Sequence, residues 1–161
     1  MHGRYFEDFT VGDVYRHPLG RTISEADNTW FTLLTMNTNP SHFDAAYAEA
    51  TPYGRILVNS CLTVSIITGL SVIDISQHAF ANLAWEEIRM TNPVFVGDTL
   101  YAESKVLQVR ESASRPYAGV VGVRTRGLNQ SGDEVISWTR SVFVYKRGHG
   151  PDSFPTPKTE L

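Results

Sequence analysis

Two asparagines, a proline, a histidine and an aspartate fall within eight positions, Asn37 to Asp44, in the stretch LTMNTNPSHFDAAYA. Of these, His42 is the natural proton carrier, because imidazole ionises near neutral pH. An amide such as Asn37 can accept through its oxygen and donate through its NH2 group, but it cannot ionise. It can therefore orient a water without exchanging a proton. Pro40 fixes the backbone between Asn39 and His42, so that both side chains can face one cleft. Asp44 is a possible auxiliary carboxylate, although its place just before AAYAEA favours capping a short helix. The same residues also have plainer uses. Asparagines beside proline start turns, and a loop histidine commonly bonds a backbone carbonyl.

The elements that would hold these residues can be read along the chain. A short extended segment, Val14 to Ile23, is interrupted by Pro18 and Gly20. Ser24 followed by Asp27 is a capping-box variant, and Trp30, Phe31, Leu33 and Leu34 follow at helical spacing. Pro40 stops that helix. The run from Leu57 to Ile73 predicts about four helical turns, apolar nearly all round, which other elements must wrap. Asn59 and Ser60 fit an N-cap near its start. Four strand-like stretches follow: FANLAWEEIRMTNPVF, TLYAESKVLQVRES, YAGVVGVRTRGLNQ and EVISWTRSVFVYKR. They are separated by turn chemistry at Gly97-Asp98, at Ser114 to Pro116 and at Ser131 to Asp133. The periodicity supports an α+β domain over residues 1–147, with 148–161 a proline-rich tail.

Composition removes several functions. At 161 residues the chain is the size of one domain, with 42% hydrophobic and 19% charged residues. A net charge of −3 offers no general attraction to nucleic acid or to an anionic membrane. The longest apolar-rich run is broken by Asn59, Ser60, Thr63, Ser65 and Thr68, so it reads as a buried helix rather than a span. Cys61 is the single cysteine, which excludes an internal disulfide and fits a reducing, cytoplasmic setting. Inside its apolar run it reads as a buried small residue. His2, His17, His78 and His149 lack ligand spacing with cysteines or carboxylate pairs, and no metal is assigned.

The stretch NTNPSHFDAAYA resembles the signature of the MaoC-like dehydratases, the R-specific enoyl-CoA hydratases, whose pattern is Gly-Asp-x-Asn-Pro-x-His-x-Asp. YFEDFTVGD, GRTISEAD, PVFVGDTL and SASRPYAGVV agree with it, so the resemblance spans roughly Tyr5 to Arg147. It implies a hotdog fold, in which a curved antiparallel sheet wraps a long central helix. It also implies an acyl-CoA thioester as substrate, coenzyme A being part of that substrate and no separate cofactor being needed. A homodimer or higher homo-oligomer is implied as the assembly. The family's catalytic histidine falls on His42 and its asparagine on Asn39. Its catalytic aspartate falls on Asn37, where this chain has an amide. The thioester-binding backbone N–H, carried in the family by a His-Gly-Met stretch, falls on Ser60 within NSC. The variant TMNTNPSHF is similar to hydratases of mesaconyl- or itaconyl-type thioesters. Arg55, just before the long helix, fits contact with a second carboxylate or a phosphate, and equally the commoner role of a solvated surface arginine.

Hydration of an enoyl thioester explains these residue types. Adding water across C2=C3 builds negative charge on the thioester oxygen, which N–H donors at a helix N-terminus stabilise. Two other functions stay open. A hotdog thioesterase would need a carboxylate at the long helix, where this chain has Asn59, Ser60 and Cys61. A non-catalytic acyl-CoA-binding subunit would account for the amide at Asn37.

Overall fold

A computed structural model describes residues 3–151 and residue 158. Two short strands, β1 (Val14–Arg16) and β2 (Arg21–Thr22), lead into helix α1 (Glu25–Leu34). A 3-10 turn at Pro40–His42 and a short helix α2 (Ala45–Glu49) precede the central helix α3 (Ser60–Ser71). Four long strands complete the fold: β3 (Ala79–Met90), β4 (Thr99–Glu111), β5 (Ala118–Leu128) and β6 (Glu134–Tyr145). The sheet runs in the order β1-β4-β5-β6-β3 with β2 added beside β4, and every pairing is antiparallel. This is the predicted α+β arrangement of a sheet curved round one helix.

The core lies between α3 and the sheet. Ile67 is fully buried and packs with Leu62, Leu100, Ile136 and Trp138. Gly127 makes room for it, since a Cβ there would lie 2.7 Å from the Ile67 side chain. A second cluster joins Phe6, Phe9 and Ile75 to Val106, Val121, Val123 and Val142. The tight turns at Gly97 and Gly132 use φ values of 94° and 86°, which glycine adopts without strain.

Sequence and structure differ at several boundaries. The central helix starts at Ser60, not Leu57, because the preceding backbone is already committed. Leu57 N–H donates to Ser41 O, and Val58 N–H donates to Val94 O. After Ser71 the helix widens into a π-helical turn, Val72–Ser76. β3 ends at Met90 rather than Phe95. There Thr91 and Asn92 turn their side chains to Glu134 O, and Pro93 has no N–H to give. Most of the proline-rich tail falls on residues 152–157 and 159–161, outside the described residues.

Burial in α1 is inverted. Its fully buried residues are Asn28 and Thr32, while Trp30 is 78% and Leu34 83% exposed. Cys61 is also exposed, against expectation, because the face of α3 carrying it and Ser65 turns away from the sheet. β3 has β6 on one side and no strand on the other among the described residues, and its Leu83, Trp85, Ile88 and Met90 are exposed.

The far end of α3 holds a buried polar chain. His17 bonds Asp74 through Nδ1 at 2.8 Å and Ser104 through Nε2 at 2.9 Å. Because a carboxylate only accepts, Nδ1 carries the proton and Ser104 donates to Nε2. Burial pushes the His17 pKa down, with the Arg140 charge adding to it, and this outweighs the Asp74 bond that would raise it. A depressed histidine is neutral in the folded chain, while the unfolded chain takes up a proton below about pH 6.5. Stability should therefore fall as the pH drops from there through the lower folded value. Thermal melts between about pH 7.5 and 5 check this, and His17→Gln should flatten the decline.

Candidate active site

Helix α1 ends in a Schellman motif that fixes the loop after it. Met36 N–H donates to Leu33 O and Asn37 N–H to Thr32 O, both at 3.0 Å, with Met36 at φ 58°. A left-handed residue at this position is normally glycine. Met36→Gly should raise stability by about 1 kcal/mol, seen as a small rise in Tm. Two asparagine turns follow. Asn37 Oδ1 accepts from Asn39 N–H at 3.0 Å, and Asn39 Oδ1 accepts from Ser41 N–H at 3.1 Å. Pro40 then opens the 3-10 turn whose last residue is His42, a position where its missing N–H costs nothing. Both asparagines thus form turns, and each keeps its NH2 group for other partners.

His42 is 8% exposed, and its Nδ1 lies 2.8 Å from Leu57 O. A carbonyl oxygen only accepts, so Nδ1 carries a proton, and in the neutral ring Nε2 keeps its lone pair. That is the tautomer a general base needs. Two residues beyond Leu57, Asn59 caps α3 by accepting from Cys61 N–H at 2.9 Å. The Ser60 N–H, first in the helix, has no acceptor among the described residues. It points from the positive end of the helix dipole. Ser60, Leu57, Val58 and Thr63 line a cavity of about 230 Å³ whose other wall is Met90 to Val94 and Val135. Leu57 therefore borders the cavity while its carbonyl holds the His42 imidazole.

Comparison with known proteins gives the family. The family model described as mesaconyl-CoA hydratase matches residues 1–151. The chain belongs to the mesaconyl-CoA hydratase family. It is 39% identical over 145 residues to a mesaconyl-CoA hydratase of Cereibacter sphaeroides, covering 90% of this chain and 42% of the relative. The chain thus spans less than half the length of that relative. It is 31% identical to an (R)-specific enoyl-CoA hydratase of Rhodospirillum rubrum, covering 89% of this chain and 94% of that protein. In three dimensions it superposes on a double-hotdog protein of Mycobacterium tuberculosis with a TM-score of 0.81, at 22% identity, over 98% of this chain and 53% of the other. That likeness speaks for the hotdog fold.

The remaining candidates divide. Asp44 caps α2, accepting from Tyr47 N–H at 3.0 Å, and is exposed. The Arg55 guanidinium sits 3.6 Å from the centre of the Phe95 ring, against which Tyr53 packs edge-on. Tyr53 lines the cavity and Arg55 does not, and Arg55 forms no ion pair among the described residues. Among the described residues, no three histidine, cysteine or acidic side chains come together as a metal site. No helix among the described residues is long and apolar enough to cross a membrane. Sequence reasoning missed Asn28 and Thr32. Their signal was present, since two polar residues four apart share one face of a helix whose other residues include Trp30, Phe31 and Leu34.

Proposed function

We propose that this chain is a hydro-lyase adding or removing water at the C2=C3 bond of a short enoyl-CoA thioester, the acyl group being branched or dicarboxylic. The observation that supports the reading is the His42 imidazole donating through Nδ1 to Leu57 O, which leaves Nε2 of the neutral ring free to act as a base, with Leu57 three residues before the Ser60 N–H that opens α3. In the hydration direction the Ser60 N–H donates to the thioester oxygen and stabilises the charge developing there. His42 Nε2 removes a proton from water as the oxygen bonds C3, and the imidazolium so formed returns that proton to C2 as the enolate collapses. Asn37 and Asn39 orient the water through their NH2 groups. Coenzyme A enters as part of the substrate, and the reaction needs no separate cofactor. Arg55, held on Phe95, meets the second carboxylate of a dicarboxylic acyl group. The single cysteine supports a reducing, cytoplasmic setting.

Incubation with crotonyl-CoA and mesaconyl-CoA tests this. Loss of the enoyl absorbance without release of thiol is the expected result. Free thiol would make the chain a thioesterase, and no change with either substrate would leave an acyl-CoA binder; both outcomes overturn the proposal.

A second copy is the partner proposed for the open edge of β3. Unpaired backbone on a 12-residue strand with exposed Trp85, Ile88 and Met90 is a surface that proteins usually cover. The greater length of the Cereibacter relative supports the pairing of two such units. An isologous dimer about a two-fold axis follows. Sedimentation at micromolar concentration should show a species near twice 18.0 kDa, and a purely monomeric boundary would count against it.

A further inference from the structure

Asn28 lies in the middle of α1, has no solvent exposure, and uses every part of its amide. One N–H of Nδ2 donates to His42 O at 2.8 Å and the other to Leu57 O at 3.2 Å. Its Oδ1 accepts from Asn59 N–H at 2.9 Å. These three partners are the backbone of the proton carrier, the peptide that holds its imidazole, and the N-cap residue just before Ser60. Thr32, one turn further along the same face, accepts from Asn59 Nδ2 at 3.2 Å.

The contrast with the other asparagines is informative. Through their Oδ1 atoms, Asn37, Asn39 and Asn59 accept from backbone N–H groups two residues away and shape the chain locally. The bonds of Asn28 reach across 14, 29 and 31 residues. Two donors and one acceptor on a short planar group match two carbonyls and one N–H, and among side chains of this length only an asparagine amide provides them. Aspartate would set carboxylate oxygens against both carbonyls.

We propose that Asn28 is the positioning residue of the site, setting His42 Nε2 at its working distance from the Ser60 N–H, and so governing turnover rather than thioester binding. This rests on the hydratase reading above. Misplacing reacting groups by about 1 Å can cost up to about a hundredfold in rate.

The test is Asn28→Asp, assayed only where circular dichroism shows it folded. At about pH 8 its kcat should be lower by a factor of about 10 to 10² with KM little changed. Burial and the facing carbonyls favour the protonated carboxyl, which donates one hydrogen bond. The deficit relative to the parent chain should therefore shrink as the pH falls. A purely structural residue would give normal kcat in the folded variant at every pH. If Asn28→Asp does not fold, Asn28→Ser retains one donor and one acceptor in less volume and is read the same way. Normal kcat in either folded variant, or an effect confined to KM, overturns the proposal. The imidazole 15N signals of His42 give a readout independent of turnover. The parent should show Nδ1 protonated, and Asn28→Asp at high pH should show mixed tautomers. If the parent hydrates no enoyl thioester, the reaction is wrong, while unchanged 15N signals in the variant would sink the role of Asn28 alone.

Discussion

Replacing His42 with alanine should lower turnover by a factor of about 10² to 10⁴, the range for losing a general acid–base group. The geometry makes this a clean experiment. His42 contacts Leu57 O through Nδ1, and Asn28 donates to the same oxygen, so that carbonyl keeps a partner when the imidazole is gone. The Ser60 N–H and the Asn59 cap do not depend on the imidazole either. Thioester binding should persist, seen as KM or inhibitor affinity within a few-fold of the parent, while kcat collapses. A loss of this kind marks a group that acts mainly in the transition state. Near-normal turnover in a folded His42→Ala protein would remove His42 from the chemistry. Loss of binding together with rate would instead make it a structural histidine of the Asn39–His42 turn.

What the sequence could say about this site was what neighbours in the chain decide. Ser24, Asp44 and Asn59 were readable as caps because a cap bonds an N–H two or three residues away. The order of elements, with one long apolar helix followed by a meander of strands, was readable for the same reason. Burial was not. Trp30 and Leu34 have the spacing of a core face yet lie outside, whereas Asn28 and Thr32 lie at 0% exposure. Periodicity shows that a helix has two faces, and only the partners of each face decide which is covered. Cys61 and the apolar residues of β3 follow the same rule, the first exposed on the outer face of α3 and the others on a strand with one unpaired edge among the described residues. The start of α3 was misplaced because Leu57 and Val58 are as apolar as the helix. What halts the helix there is their long-range bonding to Ser41 and Val94. The polar pair Asn28 and Thr32 marks one face of α1 in the sequence, but the three distant backbone groups that Asn28 bonds have no local signature.

Asn37→Asp should change the pH profile more than any other conservative substitution in the loop. In the parent, Asn37 Oδ1 accepts from Asn39 N–H, and its own N–H is tied to Thr32 O. A carboxylate accepts from Asn39 N–H equally well, so the turn survives and only the NH2 donor and the charge change. With an amide, the profile of kcat should show one dominant ionisation. With a carboxylate it should show two coupled ones, the imidazole limb moving to higher pH because the new charge favours the protonated ring. Asn37→Ala also loses the turn bond and the water-orienting group. It should cost about 1–3 kcal/mol in kcat/KM, less than His42→Ala, since no proton carrier is removed. The substrate series then separates the meanings of the amide. If Asn37→Asp gains activity on crotonyl-CoA, the amide is a specificity device or a partial loss of function. If it loses all activity on mesaconyl-CoA, the NH2 group donates to an anionic partner that a carboxylate would repel, most simply the second carboxylate of the substrate. If both Asn37 variants match the parent on every enoyl thioester, Asn37 is a turn former only, and the water is held by Asn39 or by the backbone.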